Sequence, residues 1–190
     1  MSQRLLPLLL LAGCVARAQE EPPADTREER ATKSSWPVPD EWASREVDWA
    51  DAQRTRAIDP DRLPAEVRAQ LPAIGVPVLL PDNDTLLKSL WMTGTDFWYA
   101  ASMSEDGVGV LIRGTRLARP MEMAPADLRR MGPAEEPMLT RVHDIISITW
   151  SDYNVAYNLE IECPQGHRRC QDDDFALKLQ AGLGLAGGDR

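Results

Sequence analysis

Apolar and polar residues alternate along two stretches of this chain, and apolar residues recur at helical spacing along several shorter ones. In the first alternating stretch Phe97, Tyr99, Ala101 and Met103 share one side up to Ser104-Glu-Asp-Gly107, and Val108, Val110 and Ile112 alternate away from it. A period of two is that of a half-buried strand, and Asp-Gly between two such runs is the chemistry of a tight hairpin turn. In the second stretch Ile146, Ile148 and Trp150 lead to Ser151-Asp-Tyr-Asn154. Val155, Tyr157, Leu159, Ile161 and Cys163 then fall on one face, with Ala156, Asn158, Glu160 and Glu162 on the other. Such a strand turns one side to a core and the other to water. Residues 74–81, an apolar run closed by Pro81, predict a buried or edge strand. The two hairpins, each preceded by apolar sequence, suggest a duplicated strand–hairpin unit, although residue identity between them does not establish a repeat.

Helical spacing predicts the remaining elements. Asp40 reads as an N-cap with Glu41 in the first turn and Trp42, Glu46, Trp49 and Gln53 following, which predicts a helix from residue 40. Trp36, Trp42 and Trp49 are half of the six tryptophans. They either staple this helix to the body or form an aromatic strip for a partner, and amphipathic helices more often bury such a stripe than display it. A second short helix follows, with Pro64 near its start and Leu63, Val67 and Leu71 on one face. Asp82-Asn-Asp84 opens like a calcium loop, but Leu87 and Thr93 stand where that loop needs Gly and Glu, so a capped turn over 85–90 is the simpler account. Residues 125–130 predict a helical turn between Pro120 and Pro133. Asp172-Asp-Asp174 caps a last helix carrying Phe175, Leu179 and Leu183, broken by Gly182, Gly184 and Gly187-Gly188. The predicted fold is α+β: a four- to five-stranded, mostly antiparallel sheet built from the two hairpins, with short helices on one face, in a single domain over residues 40–190.

The first residues have a different character. Arg4, the apolar run from Leu5 to Leu11 and the small residues Ala12-Gly13 make a signal peptide over residues 1–13. That run is far short of the roughly 20 apolar residues of a membrane-spanning helix. Leu11-Ala12-Gly13-Cys14 resembles the lipobox of bacterial lipoprotein precursors. The resemblance implies that Cys14 carries a diacylglycerol anchor and that the protein sits in the cell envelope facing the periplasm. Val15, where an Asp often retains such proteins at the inner membrane, implies the outer membrane. A rival site, Ala16-Arg17-Ala18, would release a soluble periplasmic protein starting at Gln19. Residues 14–39 are rich in Glu, Pro, Ala, Thr and Ser and read as a disordered tether, about 28 Å from end to end on average.

Charge narrows the partners. The chain carries 30 Asp and Glu against 21 Lys and Arg, a net −9, and loss of the leader with Arg4 lowers it by one more. Such a surface repels nucleic acid, leaving the membrane through the anchor, and an envelope protein or cell-wall ligand, as the expected partners. Residues 77–81, 97–102 and 155–163, together with Cys170, also resemble exported proteobacterial proteins with no assigned activity.

Candidate chemistry is sparse. Cys163 and Cys170 with His167 between them are one ligand short of a closed zinc site, and in an oxidising envelope a disulfide is the better reading. His143-Asp144 and His167 are the residues around which a cryptic periplasmic hydrolase could be built, but no G-x-S-x-G elbow marks a nucleophile. No glycine-rich phosphate loop or other cofactor signature occurs, and Glu160 and Glu162 read as a solvated face. The expectation is a non-enzymatic binding or accessory module, with no catalytic, metal or cofactor residue to name.

Overall fold

The computed structural model describes residues 42–119 and 137–188. Cys14, Trp36, the expected tether and the turn expected at 125–130 lie outside them. In chain order the elements are β1 (Ala43–Ser44), α1 (Trp49–Ala52), α2 (Ala65–Gln70), β2 (Val78–Pro81), α3 (Asp84–Lys88), β3 (Trp91–Gly94), β4 (Trp98–Glu105), β5 (Val108–Thr115), β6 (Leu117–Ala118), β7 (Met138–Val142), β8 (Ile145–Asp152), β9 (Val155–Glu162), α4 (Asp174–Ala181) and β10 (Leu183–Gly187).

The fold is mixed helix and strand with mostly antiparallel pairing. Its centre is a six-stranded antiparallel sheet in the order β3-β4-β5-β9-β8-β7, flanked by two-stranded pairs β1-β6 and β2-β10. Both expected hairpins form, as β4-β5 and β8-β9. Asp106 and Gly107 (φ 53° and 80°) and Tyr153 and Asn154 (φ 55° and 63°) are all left-handed. Two left-handed central residues are what a two-residue turn needs to match the twist of its strands.

The sheet is wider than the four to five strands expected, because each hairpin gains an edge strand, β3 and β7. Neither edge shows a long alternation. β3 is four residues with one buried side chain, Met92, and in β7 only Leu139 is partly shielded. The result is two three-stranded meanders of the same register. Trp91 pairs with Ser102 and Met138 with Thr149; Glu105 pairs with Val108 and Asp152 with Val155, a constant offset of 47 positions. The meanders meet where Ile112 faces Leu159, its own counterpart under that offset. Over these strands only Thr93/Thr140, Ser104/Ser151 and Val108/Val155 are identical, which is why the sequence does not reveal the repeat.

One face of the sheet holds the core. Tyr99, Ala101, Met103, Val110, Ile112, Ile146, Ile148, Trp150, Tyr157, Leu159 and Ile161 are all buried there. β2 covers it. The Tyr99 hydroxyl donates to the Leu79 carbonyl at 3.0 Å and accepts from the Leu79 N–H at 3.1 Å, and the Tyr157 hydroxyl donates to the Pro77 carbonyl at 3.0 Å. Burial pushes both phenols well above their ordinary range, so they stay neutral donors. α2 follows Pro64 as expected and buries Val67, with Leu63 and Leu71 beside it. Asn83 caps α3 through the amides of Thr85 and Leu86. The side chain of Asp82 joins Arg56 and Arg62, and Arg62 also holds Asp84 at 2.7 Å. Hydrogen bonding from Arg62 keeps the Asp82 carboxyl below its usual range.

Two expectations change. The helix expected from Asp40 is replaced by the two-residue strand β1 and the single turn α1. Asp48, not Asp40, caps α1 by accepting from the Asp51 N–H at 3.0 Å. Pairing with β6 draws Ala43 and Ser44 into strand, which overrides the local helical spacing. The terminal helix stops at Ala181, and Leu183 begins β10, which pairs with β2. Gly182 caps the helix end as a break would, whereas Gly184 and Gly187 belong to the strand, and Gly184 lies against Ile58.

Gly114 stands between the two tyrosines, in register with Tyr99 on one side and Tyr157 on the other. A Cβ there would come within 2.5 Å of Tyr99 Cε1 and 2.9 Å of Tyr157 Cε1. Gly114→Val is therefore expected to destabilise the domain by about 2–3 kcal/mol through overpacking. Gly109→Val on the opposite face is expected to cost less than about 1 kcal/mol, with urea unfolding of both variants as the check.

Candidate functional site

The residues singled out from the sequence gather at one end of the sheet. His143 and Asp144 are the loop between β7 and β8, with His143 in a left-handed conformation (φ 54°). The Asp144 carbonyl accepts from the Cys163 N–H at 3.1 Å, which ties this loop to the end of β9. Cys163 is buried there, and Cys170 ends a 3-10 turn (Arg168–Cys170) just ahead of α4. The two cysteines lie at disulfide distance with Cα atoms 6.3 Å apart, inside the range a bridge requires. His167 begins the turn, and its Nδ1 accepts from the Arg169 N–H at 3.3 Å. Arg141 closes the side, donating to the Cys170 carbonyl at 2.9 Å and to Asp173 at 2.7 Å.

These groups line a pocket of about 190 Å³ that brings His143, Asp144 and His167 together, although the two histidines are 24 positions apart. No serine or threonine hydroxyl lines it, and its two cysteines face each other, so it presents no nucleophile for a relay. Among the described residues no group of three His, Cys, Asp or Glu side chains could hold a metal ion. The clearly shifted carboxyl groups lie elsewhere. Asp82 belongs to the ion network beside β2, and Asp152, raised chiefly by burial, ends β8 next to the Tyr153-Asn154 turn.

The second candidate is the sheet face turned away from the core. Trp91 is 63% exposed and Met138, its counterpart in the second meander, 61%. Val142 at 61% and Ile145 at 41%, paired across β7 and β8, complete an apolar rim on that side. Between the rims the surface is mainly polar, with Trp98 and Leu111 partly exposed on it. Arg113 binds Asn158 at 2.9 Å and forms an ion pair with Glu160, and Asn158 donates to Ser147 at 2.8 Å. Beside Glu160 lies a trough of about 220 Å³ lined by Ser102, Gly109, Leu111, Ile145, Glu160 and Glu162. No family model, curated protein or solved structure matches this chain. Both candidates therefore rest on geometry alone.

Of the expected aromatic strip, Trp49 packs partly buried against the core, whereas Trp42 is 40% exposed beside β1. Trp36 lies outside the described residues. The exposed tryptophan on the sheet face, Trp91, was not singled out from the sequence. Its signal was present: in Leu90-Trp-Met-Thr the neighbours Leu90 and Met92 are buried, so alternation turns Trp91 outward.

The cysteine pair yields a direct check. Closing the short loop from Cys163 to Cys170 contributes about 2.5 kcal/mol on the chain-entropy account. Cys170→Ser should lower unfolding stability by that amount, and thiol titration of the denatured, unreduced protein should find neither Cys163 nor Cys170 free.

Proposed function

We propose that this chain is a membrane-anchored envelope lipoprotein whose body is a non-enzymatic binding module, holding its partner on the open face of the six-stranded sheet. The observation that carries the reading is the exposure of four large apolar side chains, Trp91, Met138, Val142 and Ile145, at the two rims of that face. Surfaces of this kind mark binding sites on proteins that otherwise keep such residues inside. The anchor reading rests on Leu11-Ala12-Gly13-Cys14 and the Pro- and Glu-rich stretch after it. A cysteine pair at disulfide distance accords with an oxidising compartment. Val15 favours the outer membrane, with the body facing the periplasm. The alternative, a hydrolase around His143 and Asp144, has two imidazoles and a carboxylate in one pocket but no nucleophile beside them.

Two or three acyl chains hold a protein in a bilayer almost permanently, since each buried methylene contributes about 0.8 kcal/mol. The native protein should partition into detergent and begin at a modified Cys14, and Cys14→Ala should release it or leave its leader uncut. A soluble, unmodified mature protein starting at Gln19 would refute the anchor.

For the module, the intact tethered protein should capture a partner from envelope membranes. Trp91→Ala and Val142→Asp should lose that partner while keeping the wild-type circular dichroism spectrum, and His143→Ala should retain it. Loss with His143→Ala alone would move the function to the histidine pocket.

A further inference from the structure

The trough on the open face has a shape and charge that select one kind of occupant. It lies between two rows of side chains crossing the sheet. Ser102, Leu111 and Glu160 are successive partners in one row, and Gly109, Glu162 and Ile145 in the next. Its depth comes from Gly109: a Cβ there would stand 3.7 Å from the Glu162 Cβ and 4.0 Å from its Oε2, so the glycine leaves open the space beside that carboxylate. Leu111 and Ile145 supply apolar walls, and the volume of about 220 Å³ is that of a long side chain rather than a folded element.

Charge then decides among occupants. Glu160 is neutralised by Arg113, whereas Glu162 has no ion-pair partner among the described residues. The trough thus keeps one uncompensated negative charge in a chain of net −9. A second copy of this chain would meet like charge, and so would an anionic polymer.

Resting on the binding-module reading, we infer that the trough takes a lysine or arginine side chain from a basic polypeptide partner. The methylene stem packs between Leu111 and Ile145, the cationic head donates to Glu162, and the neighbouring partner residues cover Val142 and Met138 on one rim. Long basic side chains are suited to such a site because their stems are apolar and their heads charged. The negative charge of the whole chain speeds the encounter, and the trough sets the register.

The test uses the full mature chain in detergent and three probes: an amidated peptide alternating lysine and valine, the same peptide with glutamate for lysine, and a neutral oligosaccharide. Calorimetric titration should show binding of the lysine peptide alone. Its affinity should fall about tenfold in Glu162→Gln and by a similar factor when salt rises from roughly 0.05 to 0.5 M. Gly109→Val, which fills the trough at a position where a Cβ makes only ordinary contacts, should abolish binding while the circular dichroism spectrum is unchanged. Equal affinity in Glu162→Gln and Gly109→Val, or equal binding of the glutamate peptide, overturns the inference. Binding of the oligosaccharide instead also overturns it and leaves the module reading in place. The same holds if no probe binds while Trp91→Ala and Val142→Asp still abolish membrane capture. If those two variants capture normally, both readings fail.

Discussion

Two phenol hydroxyls hold the layers of this domain together. β2 crosses the inward face of the sheet as part of a ribbon only two strands wide, so some of its backbone groups are buried without a strand to pair with. Buried amides and carbonyls without partners are costly. Tyr99 satisfies both the N–H and the carbonyl of Leu79, and Tyr157 satisfies the carbonyl of Pro77. Gly114 between the two rings lets both lie flat enough to reach. With β2 held, the ion network of Asp82 and the Asn83 cap set α3, and pairing with β10 draws the C-terminal segment back across the fold. The core is thus polar at a few chosen points, and those points decide how its second layer is placed.

The repeated meander explains why the molecule has two such different faces. Each unit is apolar over the middle of one side, with Glu105, Arg141 and Asp152 at its ends, so joining them through β5 and β9 produces one continuous inward surface large enough to demand cover. The outward sides come together by the same operation. Arg113 and Glu160 are counterparts 47 positions apart and form an ion pair near the Ile112:Leu159 centre, while Trp91 and Met138 are counterparts at opposite rims. A polar middle between two apolar margins is a consequence of the repeat, not of any single strand. The units differ in detail where binding chemistry would need it: Gly109 and Glu162 have Ala156 and Thr115 as counterparts, so the hollow beside Ala156 is lined by no carboxylate, unlike the trough by Glu162.

How much of this could be read in the chain depends on how much of each signal is local. Alternation and turn chemistry are properties of neighbouring residues, so both hairpins, α2 and the capped turn expected over 85–90 and formed at Asp84–Lys88 were legible, as was a bridge across the short loop from Cys163 to Cys170. The edge strands were not. β3 and β7 bury little of their own surface and exist because a hairpin beside them offers unpaired backbone groups, a condition set by the partner strand. Ala43–Ser44 and Leu183–Gly187 were read from helical spacing or glycine breaks, and distant pairing with β6 and β2 overruled both readings.

The candidate sites divide in the same way. The sequence determined which residue types were available: two histidines, a cysteine pair, an acidic surface and no nucleophile motif. It did not determine that His143 and His167 share a pocket, which requires the β7-β8 loop and the turn after β9 to meet through the Asp144 carbonyl and Cys163. Glu162 alternates outward on any reading of β9. Only the tertiary structure decided that it stands beside a glycine on β5 and an isoleucine on β8, because cross-strand register depends on which strands become neighbours, and that is settled by burying the inward face as a whole.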